Sequence, residues 1–265
     1  MDGLSPQAIS RHLPPSSVGE VLPERKNHHD AHPRLWVGNL MSVTHLADLV
    51  QKSTRDDGST IPSERAFVTV ISVLSNKNMI RFAADALQQQ RPQHPTEDAK
   101  IPHNNSRCYN QTPMDIKHVI IPLKDTVDSD LMSALPNALL AIDEALGVDA
   151  NEASFRDDAA FNHTTNACAR DKTSTNDGNN HSSLRNENDF TCQTRVCLVH
   201  CAKGASRSVS LVIAYLLSRH SQRFRTFEDA LSHVRSVQPQ AMPNIGFALS
   251  LRRFKRELAL KAEQE

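Results

Sequence analysis

The sequence predicts an α/β fold: a mostly parallel central sheet, helices on both faces, and several polar loop insertions. Two observations carry this. Short apolar runs alternate with stretches whose apolar residues recur at helical spacing, the pattern of strands joined by crossover helices. Runs such as AFVTVISVL are apolar and β-branched throughout, as strands buried on both faces must be.

The elements follow in order. RLWVGNL (34–40) reads as a strand closing in Gly-Asn, a turn signal. AFVTVISVL (66–74) is the second strand, and DIKHVIIPL (115–123) the third, stopped by Pro122. SDLMSALPNALLAIDEALG (129–147) has helical spacing, with Asp130 as its N-cap and Gly147 to end it. RVCLVH (195–200) is the fourth strand. SRSVSLVIAYLLSRH (206–220) is apolar on most sides, which predicts a central buried helix. TFEDALSHVRSV opens on a capping-box pattern, Thr226 with Asp229. NIGFALSLRRFKRELALKA (244–262) is a final amphipathic helix capped by Asn244.

Between these lie stretches too polar to enter a core. Residues 1–32 are rich in Pro, Ser and His, and insertions at about 51–65, 88–113 and 150–194 are rich in amides, hydroxyls and proline. Such composition buries too little apolar surface to offset chain entropy. The expectation is a disordered tail over 1–32 and one domain over 33–262 interrupted by disordered insertions. The 30 basic and 30 acidic side chains balance, which argues against a nucleic-acid partner. Five cysteines, an odd number without framework spacing, do not form a disulfide scaffold. The N-terminus has no apolar leader, and VSLVIAYLL is too short to span a bilayer. A cytoplasmic or nuclear protein without membrane attachment is expected.

The stretch VHCAKGASRS holds the chemistry. Cys201 leaves the end of a buried strand, Gly204 permits a tight loop, and Arg207 opens a helix. Backbone N–H groups from Ala202 through Arg207 then line a concavity at a helix N-terminus, which suits a tetrahedral oxyanion. Arg207 adds a bidentate fork that a lysine cannot reproduce. The same positive field favours the thiolate of Cys201, so the loop is set up to take a phosphoryl group onto sulfur.

His200-Cys201-x5-Arg207-Ser208 resembles the active-site loop of the cysteine-dependent phosphatases, and VHCAKGASRSVSLVIAYLLS is similar to the dual-specificity branch. RLWVGNL, IPLKDTVDSDLMSALPNALLAID and QPQAMPNIGFALSLRRF resemble that family's first core strand, general-acid loop and C-terminal Pro-Asn-x-Gly-Phe segment. The resemblance implies a cysteine-phosphatase-like α/β/α sandwich that removes phosphate from phosphotyrosine and phosphoserine or phosphothreonine through a cysteinyl-phosphate. It implies a phosphate loop of His200, Cys201, Ala202, Lys203, Gly204, Ala205, Ser206 and Arg207. By the same resemblance Asp125 is the general acid, with Asp128 as fallback, and Ser208 assists breakdown of the intermediate. His200 orders the loop through backbone hydrogen bonds, and Asn244 braces the active-site loops. No cofactor or metal is required, because Arg207 and the amides supply the positive field. The expected partner is a phosphorylated protein, a protein kinase among the candidates.

Other readings compete. A phosphoprotein-binding scaffold would hold phosphate without turnover, yet Cys201, Arg207 and Asp125 are all present. A non-protein phosphoester is a further alternative. A single lysine in the loop, Lys203, speaks against a phosphoinositide, and zero net charge against an RNA 5′-phosphate. Rhodanese-type and arsenate-reductase readings lack the Ser-Arg-Ser and Pro-Asn-x-Gly-Phe matches. The cluster His28, His29, Asp30 and His32 reads as a solvated linker rather than a metal site. Cys197 is about 13 Å from Cys201 along a strand, too far to bridge it. The basic run from Arg252 to Arg256 reads as a solvated helix face.

Overall fold

The computed structural model describes residues 15–22, 33–55, 65–90, 114–148 and 194–264. Five strands form one sheet in the order β1-β2-β5-β3-β4. They are β1 (Val18–Glu20), β2 (Arg34–Asn39), β3 (Ala66–Val73), β4 (Met114–Ile121) and β5 (Thr194–Cys201). All neighbouring pairs are parallel except β1 with β2.

The central position of β5 follows from its sequence. It is buried at nearly every residue, and successive side chains alternate between the two faces of the sheet. Cys197, Val199 and Cys201 enter one apolar cluster, Val196 and Leu198 the other. The first cluster is completed by helices α3 (Leu131–Leu146), α4 (Arg207–Arg219), α5 (Phe227–Val237) and α6 (Ile245–Ala262). A 3₁₀ turn (Leu40–His45) with helices α1 (Leu46–Arg55) and α2 (Lys77–Gln90) covers the opposite face. The α/β/α sandwich is therefore real. Helix α4 is buried continuously from Ser208 to Leu217, as its all-round apolar sequence requires.

The expected caps are in place. Asp130 Oδ1 accepts from Ser133 N–H at 3.1 Å, and Gly147 ends α3 in the left-handed region at φ 71°. Thr226 and Asp229 exchange hydrogen bonds of 3.1 and 3.0 Å as a capping box.

Three expectations need correction. Part of the 1–32 segment is ordered: Val18–Glu20 pair with Trp36–Gly38, because β2 would otherwise leave an open edge. Helix α1 runs to Arg55 and α2 to Gln90, so the first residues of the insertions expected at 51–65 and 88–113 are helical. Neither helix stood out in the sequence. Helix α2 buries only Met79, Ala83, Ala86 and Leu87, a narrow stripe that two alanines make faint. The remainder of the tail and insertions, with Cys108, Cys168, Cys192 and the His28–His32 cluster, lies outside the described residues.

Candidate active site

The parallel strands end together, and the site is built across their C-terminal ends. Asn39 of β2 pairs in register with Cys201 of β5, and His200 lies beside Ser72 of β3. Leaving β5, the chain turns through residues 202–206 and enters α4 at Arg207.

Four successive carbonyls of this turn are tied to its surroundings. Ala202 O accepts from Leu40 N–H at 3.3 Å, and Ala205 O from Met242 N–H at 2.7 Å. Lys203 O accepts from Gln240 Nε2 at 3.1 Å, and Gly204 O from Gln238 Nε2 at 3.2 Å. In a trans peptide, C=O and the next N–H point in opposite directions. The outward carbonyls therefore turn the N–H groups of Lys203, Gly204, Ala205 and Ser206 inward, forming the anion nest. Gly204 allows it, with φ at 71° and a hypothetical Cβ only 2.8 Å from the Gly38 carbonyl carbon.

The nest has its own support. Ser17 Oγ accepts from Gln238 Nε2 at 3.0 Å and from Gln240 Nε2 at 2.5 Å. Ser17 O receives Asn39 N–H and Ser42 Oγ, and Asn39 Nδ2 donates to Pro15 O. A segment read from sequence as tail thus holds the two glutamines that hold the loop. No local signal marks Ser17, whereas the glutamines lie in QPQAMPN, already singled out by resemblance.

Cys201 is buried, with Sγ receiving Ser208 Oγ–H at 3.2 Å and Gly204 N–H at 3.3 Å. Two donors thus converge on one sulfur. Arg207 points back toward the acid loop, Nη1 at 3.4 Å from Leu123 O and Nε at 3.7 Å from Asp125 Oδ2. The latter is an ion pair too long for a hydrogen bond. Nε is buried with no hydrogen-bond partner among the described residues, which leaves a donor for an oxyanion.

The structure brings Asp125 to the loop. Its Oδ1 accepts from Ser206 Oγ at 2.7 Å and from Asn244 Nδ2 at 2.9 Å. Ser206 Oγ in turn accepts Asn244 N–H at 3.2 Å. Asn244 Oδ1 meanwhile caps α6 through Phe247 N–H at 2.9 Å, so one side chain starts a helix and holds a carboxylate. The acid-holding role of Ser206 was not visible in the sequence. Asp128 is exposed one turn further on, with no hydrogen bond to the loop among the described residues.

His200 also has a partner beyond the loop. Its wholly buried ring binds a side chain: Nε2 lies 2.6 Å from Ser72 Oγ, which also meets His118 Nε2 at 2.8 Å. Burial, with the nearby His118 a smaller cause, pushes the His200 pKa down to about 3. Burial also lowers that of His118. Both rings are neutral at pH 7, and the single Ser72 proton goes to one while the other donates.

Other cysteine and charge features are structural. Burial pushes the Cys197 thiol far up, which makes it inert. Within the basic run, Arg252 pairs with Glu228 and Arg253 with Glu257 at 2.7 Å each. Among the described residues no acidic, histidine and cysteine group could hold a metal, and no helix is long and apolar enough to cross a membrane.

Residues 185–257 match the model of the dual specificity phosphatase catalytic domain. Arabidopsis thaliana dual specificity protein phosphatase 1 is 50% identical over 54 residues, 20% of this chain and 26% of that protein. Protein-tyrosine-phosphatase MKP1 of the same plant is 48% identical over 63 residues, 24% of this chain and 8% of its own. The chain thus matches only a small part of these relatives' length. The Yvh1 phosphatase domain from Chaetomium thermophilum superposes with TM-score 0.45 at 19% identity, covering 94% of this chain and 99% of that one. The loop that carries Cys201 and Arg207 lies inside the segment that matches the dual specificity phosphatase catalytic domain.

Proposed function

We propose that the chain is a protein phosphatase that cleaves phosphotyrosine and phosphoserine or phosphothreonine esters through a cysteinyl-phosphate. One observation carries this reading: the outward-tied carbonyls of 202–205 enclose a sulfur on which two donors converge. The Cys201 thiolate attacks phosphorus while the nest and Arg207 hold the non-bridging oxygens. The P–O ester bond breaks, and Asp125 delivers its proton to the leaving oxygen. Asp125, now a carboxylate, takes a proton from water as that water attacks phosphorus. The P–S bond breaks, Ser208 stabilises the departing sulfur, and inorganic phosphate leaves.

No metal enters the reaction, and a phosphorylated protein, such as a kinase, is the proposed substrate. A reducing compartment, cytoplasm or nucleus, is the proposed location, because a free catalytic thiol persists there. Purified protein is expected to hydrolyse p-nitrophenyl phosphate and to yield a phospho-adduct at Cys201 on rapid denaturation. Cys201→Ser abolishes both. Phosphopeptide binding by wild type without turnover would instead make the chain a scaffold.

A further inference from the structure

Seven large apolar side chains are exposed among the described residues, and four of them, Val127, Met242, Ile245 and Leu249, lie on the acid loop and on the segment that enters and opens α6. Scattered apolar exposure is ordinary, but a group of this kind marks a contact surface. Each member is tied to the site by its backbone. Val127 is two residues beyond Asp125, and its carbonyl would lie 2.0 Å from a Cβ at Gly246, so the acid loop rests directly on the start of α6. Met242 donates its N–H to Ala205 of the phosphate loop. Ile245 follows Asn244, which holds Asp125, and Leu249 is one helical turn beyond on the same side.

We infer that this rim binds apolar side chains flanking the phosphorylated residue of a protein substrate, which makes Val127 and Ile245 specificity-determining. The inference rests on the phosphatase reading and adds the sequence context of the phosphorylated residue. Its occupant follows from the chemistry. Phosphate must reach Cys201 while the ester oxygen meets Asp125, which brings the phosphorylated residue to the acid loop. Its neighbours along the substrate chain then lie over the adjoining surface, which is the apolar rim. A second copy bound permanently there would close access to Cys201.

The test uses the full chain and two phosphotyrosine peptides, identical except that the residues either side of phosphotyrosine are Leu in one and Ser in the other. The Leu peptide is expected to show about tenfold higher kcat/KM, a discrimination typical of one apolar contact. Ile245→Ser and Val127→Ser, both at exposed positions outside the core, should erase that preference and leave p-nitrophenyl phosphate turnover unchanged. Equal rates for the two peptides, or a preference that survives both substitutions, overturn the inference. So does a dimer in sedimentation that Ile245→Ser dissolves, since the rim would then belong to a second copy. If wild type fails on p-nitrophenyl phosphate, the phosphatase reading falls. Peptide affinity of the Cys201→Ser protein then decides the rim, with tighter Leu-peptide binding supporting it and equal binding overturning it.

Discussion

Asn244 donates to Asp125 at 2.9 Å across 119 residues of chain, joining the start of the last helix to the acid loop. Ser206 reaches the same oxygen from the phosphate loop at 2.7 Å, so the carboxylate is aimed from two elements at once. Aim matters because proton delivery requires the acid within hydrogen-bond reach of the leaving oxygen.

Loss of that aim is expected to depend on the leaving group. Asp125→Ala should slow alkyl phosphates by about 10²–10⁴-fold and aryl phosphates with acidic phenols far less. Ser206→Ala and Asn244→Ala should show the same leaving-group bias at about tenfold. Neither should add further loss on top of Asp125→Ala. Steady-state rates across a series of substituted aryl and alkyl phosphates check this, and additive losses would separate both residues from the acid.

The Ser208–Cys201 contact of 3.2 Å predicts a slow second step when its hydroxyl is removed. Ser208→Ala should lower steady-state turnover by about 10–100-fold, in the range of one lost charge-assisted bond. The first step should be spared, so stopped-flow traces are expected to show a burst of phenol and quenched samples an accumulated cysteinyl-phosphate.

Ser17 predicts an effect at long sequence range. Ser17→Ala removes the acceptor shared by Gln238 and Gln240, at a cost of about 1 kcal/mol. Inhibition by inorganic phosphate should weaken several-fold, and the thermal midpoint should fall by a few degrees. Gln238→Ala should do the same, because it acts on the same carbonyl of Gly204.

The buried His200 makes stability pH-dependent. Its pKa is about 3 in the fold and about 6.5 in the unfolded chain, so between these values the unfolded chain takes up a proton that the fold refuses. Stability is complete above about pH 6.5 and is lost as pH falls toward 3, by several kcal/mol at most. Urea midpoints at pH 7 and pH 4.5 measure it, and His200→Gln should flatten the dependence.

What the sequence made legible was local. Cys201, Gly204 and Arg207 fall in one loop between a buried strand and a buried helix, so that local context placed them, and resemblance added the role of Ser208. Asp130, Thr226 and Asn244 were readable as caps because a cap is decided by its next three residues. Asp125 was placed only by resemblance, since a loop carboxylate has no periodicity to betray it. Ser17, Ser72 and His118 escaped notice because their partners lie 22 to 223 residues away and are set by strand register rather than by spacing. The three-residue β1 carries too few residues for a pattern, and packing decides it.

The parallel register also sorts the chain by tolerance to change. The polar stretches before Ala66, Met114 and Thr194 all rejoin the fold where a strand begins, whereas Cys201 stands where one ends. Eight residues of strand, about 26 Å, separate the two rims of the sheet. A fluorescent or affinity module spliced between Val148 and Thr194 would therefore have its rejoining junction on the rim opposite Cys201.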